Sequence, residues 1–291
     1  MSNSLNILVT GSNGQLGSEI KELSKEYDYK IYFTDKTQLD ISDYNSLRKF
    51  IVENSIDTII NCAAYTAVDK AEEEEELANK INHLAVKNLA MLSNEFKLKL
   101  IHISTDYVFD GKNYKPYTEE DKTNPQSVYG ATKLAGEQAI LGYNLKNSII
   151  IRTSWVYSYY GNNFVKTMLK LGKSKDELGV IFDQVGTPTY AKDLAKAILD
   201  IIPKIKNEKT EIFNFSNEGV LSWYDFAKEI MKMAKIDCKI NPIETYQYPT
   251  PAKRPHYSLL NKAKIKNTFN ITIPYWKDSL DDCLKRLGER K

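Results

Sequence analysis

The chain has 291 residues, enough for one large α/β domain or for a domain with a smaller lobe. Its hydrophobic content of 42%, charged content of 27% and net charge of +2 are those of an ordinary globular protein, with no global field to draw nucleic acid or an anionic membrane. Cys62, Cys238 and Cys283 make no C-x-x-C pair, His83, His102 and His256 have no metal-ligand spacing, and no apolar run approaches the ~20 residues that cross a bilayer. A cytoplasmic protein without disulfides, metal or signal peptide is expected.

The first half alternates strands and helices. Asn6–Thr10, Lys30–Thr34, Asp57–Cys62, Leu98–Ile103 and Ser148–Arg152 read as strands. Between them, Gln15–Glu26, Asp43–Glu53, Glu75–Phe96 and Gly130–Leu141 have helical periodicity. Such alternation predicts βαβ units and, with right-handed crossovers, a doubly wound parallel sheet. Helices at Asn162–Gly172, Ala191–Ile202, Ser222–Ala234 and Trp276–Leu287 follow, with short strands at Gly179–Phe182 and Glu211–Phe215. Between the last two helices lies an irregular stretch with prolines at 242, 249, 251 and 255. We expect a dinucleotide-binding domain over 1–152. A smaller substrate lobe over 153–291 would return segments near 186–216 to it. The five acids Glu72–Glu76 suit the positive end of a helix.

Gly11-Ser-Asn13-Gly14-Gln-Leu-Gly17 ends the first strand and opens the first helix. Gly11 permits the tight turn, Gly14 lets the backbone approach a pyrophosphate, and Gly17 allows close helix–sheet packing. Asp35, at the end of the second strand, lies where a carboxylate accepts from the adenosine ribose hydroxyls. It repels a 2′-phosphate and so favours NAD over NADP. The adjacent Lys36 softens that repulsion, so both remain open. Asp40 and Ile41, read as strand-like, either flank the adenine or are a turn and a core residue.

Tyr129-Gly-Ala-Thr-Lys133 is Y-x-x-x-K, two side chains ~5–6 Å apart on one helix face. An ammonium there would lower a phenol pKa that starts near ~10, making Tyr129 a proton donor and acceptor. Ser104, Thr105 and Asp106 end the fourth major strand. Ligands of open α/β sheets bind outside the carboxyl ends of strands, so the glycine loop, this triplet and Y-x-x-x-K converge on one crevice.

This arrangement resembles the extended short-chain dehydrogenase/reductases, a Rossmann-type family. Within it the chain resembles the dTDP-4-dehydrorhamnose reductases. The stretches that carry the likeness are Gly14–Gly17, Asn61–Glu72, Ser104–Phe109, Val128–Glu137, Arg152–Tyr157, Gly161–Phe164 and Pro249–Pro255. The resemblance implies NAD(P)H-dependent reduction of a 4-keto-6-deoxy sugar carried on dTDP. It implies Gly11, Asn13, Gly14, Gln15 and Leu16 at the pyrophosphate and Asp35, Asp40 and Ile41 near the adenosine. Ala64, Tyr65 and Thr66 would line the cofactor. Thr105, Tyr129 and Lys133 would be catalytic, with Tyr129 the acid and Lys133 on the nicotinamide ribose. Val68, Thr105, Asp106, Trp155, Asn163 and Arg254 would hold the dTDP-sugar. A homodimer is compatible. Lys192 stands where some members place a magnesium-binding Glu, which argues against a metal-bridged dimer. The rivals are a related epimerase or dehydratase, and a cofactor-binding regulatory subunit. A dehydratase would carry Asp-Glu after the threonine, where this chain has Asp106-Tyr107.

Overall fold

A computed structural model describes residues 5–290. Six parallel strands form the central sheet: β1 (Asn6–Thr10), β2 (Lys30–Thr34), β3 (Thr58–Asn61), β4 (Lys99–Thr105), β5 (Ile149–Thr153) and β6 (Glu211–Asn214). Their spatial order is β6-β5-β4-β3-β1-β2. The chain moves outward from β1 to β2, then crosses back to lay β3 on the other side of β1. The direction of winding therefore reverses between β1 and β3, and a crevice opens there at the carboxyl ends of the strands.

Strand faces sort the core. Ile7, Val9, Ile60, Ile101, Ile149 and Ile151 pack on helix α1 (Gln15–Leu23) and on the Ala191–Ile201 helix. Leu8, Ile59, Leu100 and Ile150 point to the opposite face, under α2 (Tyr44–Glu53) and the helices Ala85–Phe96 and Val128–Tyr143. Both faces are covered, which is why these strands read as continuous apolar runs rather than alternating ones. A separate core around Tyr157, Phe226, Trp276 and Leu280 gathers the helices Phe164–Gly172, Trp223–Ala234 and Trp276–Arg286. After β5 the chain builds part of this second core, then returns through Ala191–Ile201 and β6 to the central sheet.

Local chemistry sets the boundaries. Asp43 caps α2 by accepting from the Asn45 and Ser46 amides. Ser222 and Asp225 form a reciprocal capping box at the Trp223–Ala234 helix. The helix expected over Glu75–Phe96 is interrupted by a π-helical turn, Lys80–Leu84. The Asp40-Ile41 stretch is not a strand: Asp40 Oδ1 accepts from the Ser42 amide and hydroxyl, which closes a turn. The proline-rich stretch contains an unexpected strand, Lys239–Ile243, paired with Glu177–Ile181 in a two-stranded sheet. Pro242 is tolerated because a strand with only one neighbour need not donate from every residue. Ala263–Phe269 is a further helix. Among the described residues, no helix is long and apolar enough to cross a membrane.

Candidate active site

The glycine loop is shaped by close contact. Gly11 has φ +65°, and a Cβ there would lie 2.7 Å from the Ala63 backbone. The ends of β1 and β3 can meet at this distance only over a glycine. A Cβ on Gly17 would lie 2.5 Å from Gly11 O, so the helix seats directly on the loop. Gly14 is the extended N-cap of α1, and no side chain caps that end. The helix therefore presents its first amides, and the positive end of its dipole, to the crevice. That cradle fits a pyrophosphate.

A cavity of about 280 Å³ runs from Gly11 and Gly14 past Asp35, Lys36, Asp40 and Ile41 to Ala64. Asp35 is held open-armed there. Its Oδ1 accepts from the Thr37 hydroxyl at 2.6 Å and amide at 2.8 Å, and its Oδ2 from the Asn13 amide. These bonds, led by the Thr37 hydroxyl, hold its carboxyl below the ordinary range. Asn13 thus touches the Asp35 carboxylate but does not line this cavity, whose wall here is made by Gly11 and Gly14.

A second cavity, about 530 Å³, shares Gly14, Cys62 and Ala64 with the first. Gln15, Leu16, Thr66, Val68, Thr105, Asp106, Tyr129, Lys133 and Trp155 line it. The three candidate catalytic side chains meet here for a packing reason. Strand β4 extends to Thr105, whose hydroxyl caps the turn Asp106–Val108. A Cβ on Gly130 would lie 2.3 Å from Tyr107 O, so that turn can pack on the start of the Val128–Tyr143 helix only across a glycine. Ser127 caps the same helix, and Glu72, from the acidic run, accepts from the Val128 amide at 2.9 Å.

Burial dominates the electrostatics of the groups in this cavity. Burial pushes the Tyr129 phenol up to about 12, while the Thr105 hydroxyl pulls against it and the Asp106 charge adds to it. The expected lowering by Lys133 is not observed. The Lys133 ammonium is instead brought down to about 8 by burial, against the pull of Glu137 and Cys62. Its Nζ donates to Ile103 O at 2.6 Å, along the strand end rather than to the phenol. Asp106 is pushed up to about 7, chiefly by burial. Its Oδ1 accepts from Thr105 Oγ1 at 3.0 Å, and its Oδ2 is buried without a hydrogen-bond partner. A phenol that keeps its proton, beside a hydroxyl and an ammonium at the mouth of a phosphate cradle, can protonate an oxygen held between them.

The family described as the RmlD substrate binding domain matches residues 5–289. A dTDP-4-dehydrorhamnose reductase from Sinorhizobium fredii is 40% identical over 283 residues, covering 94% of this chain and 95% of that protein. The chain belongs to the dTDP-4-dehydrorhamnose reductase family. The spore coat polysaccharide biosynthesis protein SpsK of Bacillus subtilis is 39% identical, with 96% of each chain covered. A crystal structure of a dTDP-4-dehydrorhamnose reductase from Clostridium acetobutylicum superposes with a TM-score of 0.92 at 45% identity, covering 98% of this chain and 100% of that one. One from Bacillus anthracis, solved in complex with NADP, gives 0.92 at 38%, covering 97% and 99%.

Besides Asn13, three residues carried over from the reductase family are placed otherwise than expected. Tyr65, between Ala64 and Thr66, lines neither cavity and donates its hydroxyl to Glu74 Oε2 at 2.6 Å. Asn163 does not line either cavity. Its Nδ2 donates to Gln15 Oε1 at 3.0 Å and Ser158 O at 2.8 Å, while its Oδ1 caps the Phe164–Gly172 helix. Arg254 also lies outside both walls. It makes a bidentate pair with Asp69 at 2.9 and 2.7 Å, which spends the fork expected to meet a diphosphate. Trp155 does line the crevice, at φ +48° and stacked on Trp223 with centroids 3.7 Å apart. Lys192 donates to Asp282 at 3.0 Å.

Sequence reasoning passed over Asn82. It lies in the π-helical turn, accepts from the Tyr65 amide at 2.9 Å and donates to Tyr65 O at 3.1 Å. It also donates to Thr132 Oγ1 at 3.2 Å, which ties the Ala64–Thr66 loop to the helix that bears Tyr129. An uncharged amide inside an apolar helical face was the signal available. Glu137 and Arg152 form a buried bidentate pair at 2.9 and 2.6 Å that fastens the same helix to β5.

Proposed function

We propose that this protein reduces the C4 ketone of dTDP-4-dehydro-L-rhamnose to dTDP-L-rhamnose with a reduced nicotinamide cofactor. The observation that carries the reading is the convergence of Thr105, Tyr129 and Lys133 at the inner end of the glycine-loop crevice. When bound, the reduced nicotinamide supplies hydride to the carbonyl carbon. Gly11, Gly14 and the first amides of α1 receive the pyrophosphate, and Asp35 the adenosine ribose. Tyr129 gives its proton to the C4 oxygen as negative charge develops there. Thr105 orients that oxygen by turning its one hydroxyl proton, given to Asp106 Oδ1 in this structure, onto the substrate. Lys133 stabilises the phenolate left on Tyr129 and holds the nicotinamide ribose. Trp155 and Val68 shape the sugar end of the crevice. Three thiols and no disulfide suit a cytoplasmic enzyme.

Tyr129→Phe removes the proton and little else. It should bind cofactor normally and lose at least ~10²-fold in kcat, the scale of a lost general acid. Turnover near the wild-type rate would overturn the assignment. We further propose that Asp35 biases the site toward NADH. In Asp35→Ala, NADH affinity should fall more than NADPH affinity in fluorescence titrations, and equal losses would contradict the bias.

A further inference from the structure

His102 lies beneath the catalytic lysine and is fully buried. Asn61, at the end of β3, decides how it is protonated. Asn61 Oδ1 accepts from Thr10 Oγ1 at 2.6 Å and from the Ala63 amide at 3.2 Å. The Ala63 N–H can only donate, which fixes the end of this amide it meets as the oxygen, and the Thr10 hydroxyl then donates to the same atom. Its Nδ2 then faces His102 Nδ1 at 2.9 Å and can only donate. His102 Nδ1 is therefore an acceptor, and a neutral ring carries its proton on Nε2. Burial, and the charge of Lys133, hold the ring neutral by pushing its pKa well down. The Nε2 edge faces Lys133 Nζ at 3.5 Å. That Nζ is already anchored on Ile103 O.

We propose that His102 is a positioning residue for Lys133: locked by Asn61 as the Nε2–H tautomer, it presents an N–H that the neutral amine can accept and the ammonium cannot. The bond to Ile103 O sets where Nζ sits, and the imidazole biases which protonation state it holds. Lys133 is thereby kept close enough to its midpoint to exchange a proton in a reaction that takes one up from solvent for each ketone reduced. The other groups that act on it are accounted for. Glu137 and Cys62 favour the ammonium, and burial opposes it. Glu137 is in turn occupied by Arg152. Tyr129 lies one helical turn earlier and retains its proton.

This inference rests on the reductase reading for its catalytic meaning, but its test needs no substrate. Imidazole and lysine nitrogens are followed by ¹⁵N NMR in the purified full-length protein. Wild type should show His102 as the neutral Nε2–H form across the neutral range. Asn61→Asp keeps the acceptor for Thr10 and Ala63 but turns the facing donor into an acceptor. The His102 proton should move to Nδ1, Nε2 should accept from the ammonium, and the Lys133 midpoint should rise by about one unit more than in Asn61→Asp/His102→Phe, where the new carboxylate acts by charge alone, a tenfold change in proton affinity. A Nδ1–H or cationic ring in wild type would overturn the proposal without any variant. So would an Asn61→Asp ring that keeps Nε2–H, or a converted ring with a Lys133 midpoint no higher than in the double variant. If the NMR behaves as expected and no ketone is reduced, the reductase reading fails and the tautomer lock stands.

Discussion

At the scale of single residues, the site is organised by burial more than by charge pairing. Y-x-x-x-K alone implies an ammonium that lowers a phenol. Once the helix is packed, desolvation dominates both groups, and the lysine turns to a strand carbonyl. Asp106 shows the same physics in a measurable way. Its folded pKa is about 7, against ~3.9 for an unfolded aspartate. The folded state therefore prefers the protonated acid. The stability this contributes is full below pH ~4 and is lost as pH rises through the folded value. Asp106→Asn does not titrate. Its stability relative to wild type, from denaturant melts, should climb between pH 4 and 8 by on the order of 4 kcal/mol, at ~1.4 kcal/mol per unit. A difference that stays flat over that range would show that Asp106 is ionised in the folded protein.

At the scale of elements, the helix Val128–Tyr143 carries Tyr129 and Lys133 and needs to be held to the sheet. Three devices do so: the Gly130 approach to Tyr107, the Asn82 amide, and the Glu137–Arg152 pair. Glu137→Ala should destabilise the protein by ~3–5 kcal/mol, because it strands the buried Arg152 charge. A loss below ~1 kcal/mol in chemical denaturation would mean that Arg152 finds water or another partner. Much of this scale was legible. The strands β1 to β5 could be read from apolar runs and the glycine loop from its spacing, because those signals are local. The helix break at Lys80–Leu84 could not, since a single widened turn offsets the apolar stripe once and the segment before it is too short to show that offset. Lys239–Ile243 was hidden by Pro242, a residue that argues against a central strand and is harmless on a two-stranded one. Trp155 and Val68 could be aligned with a site from their motifs. The commitments of Arg254 to Asp69 and of Asn163 to Gln15 could not, because each partner lies more than a hundred residues away.

At the scale of the molecule, the two cores are tied together at the crevice. Glu19, on α1 and fully buried, accepts from Arg286 at 3.1 and 2.9 Å and from Ser158 at 2.6 Å. The first helix of the glycine loop is thus clamped to the last helix of the chain. Arg254 and Asp69 make a second clasp beside Val68. Both hold helix α1 and the Val68 wall in register across the crevice, the fixed geometry that the proposed hydride transfer would need. The transfer itself is the most direct test. Reduced cofactor carrying deuterium at both nicotinamide C4 positions is incubated with dTDP-4-dehydro-L-rhamnose and the purified protein, and the product is examined by NMR. The reductase reading predicts one deuterium at sugar C4 of dTDP-L-rhamnose for each cofactor oxidised, with the signal lost in Tyr129→Phe. Cofactor that stays reduced in the presence of the ketone, or a product without deuterium at C4, would contradict it.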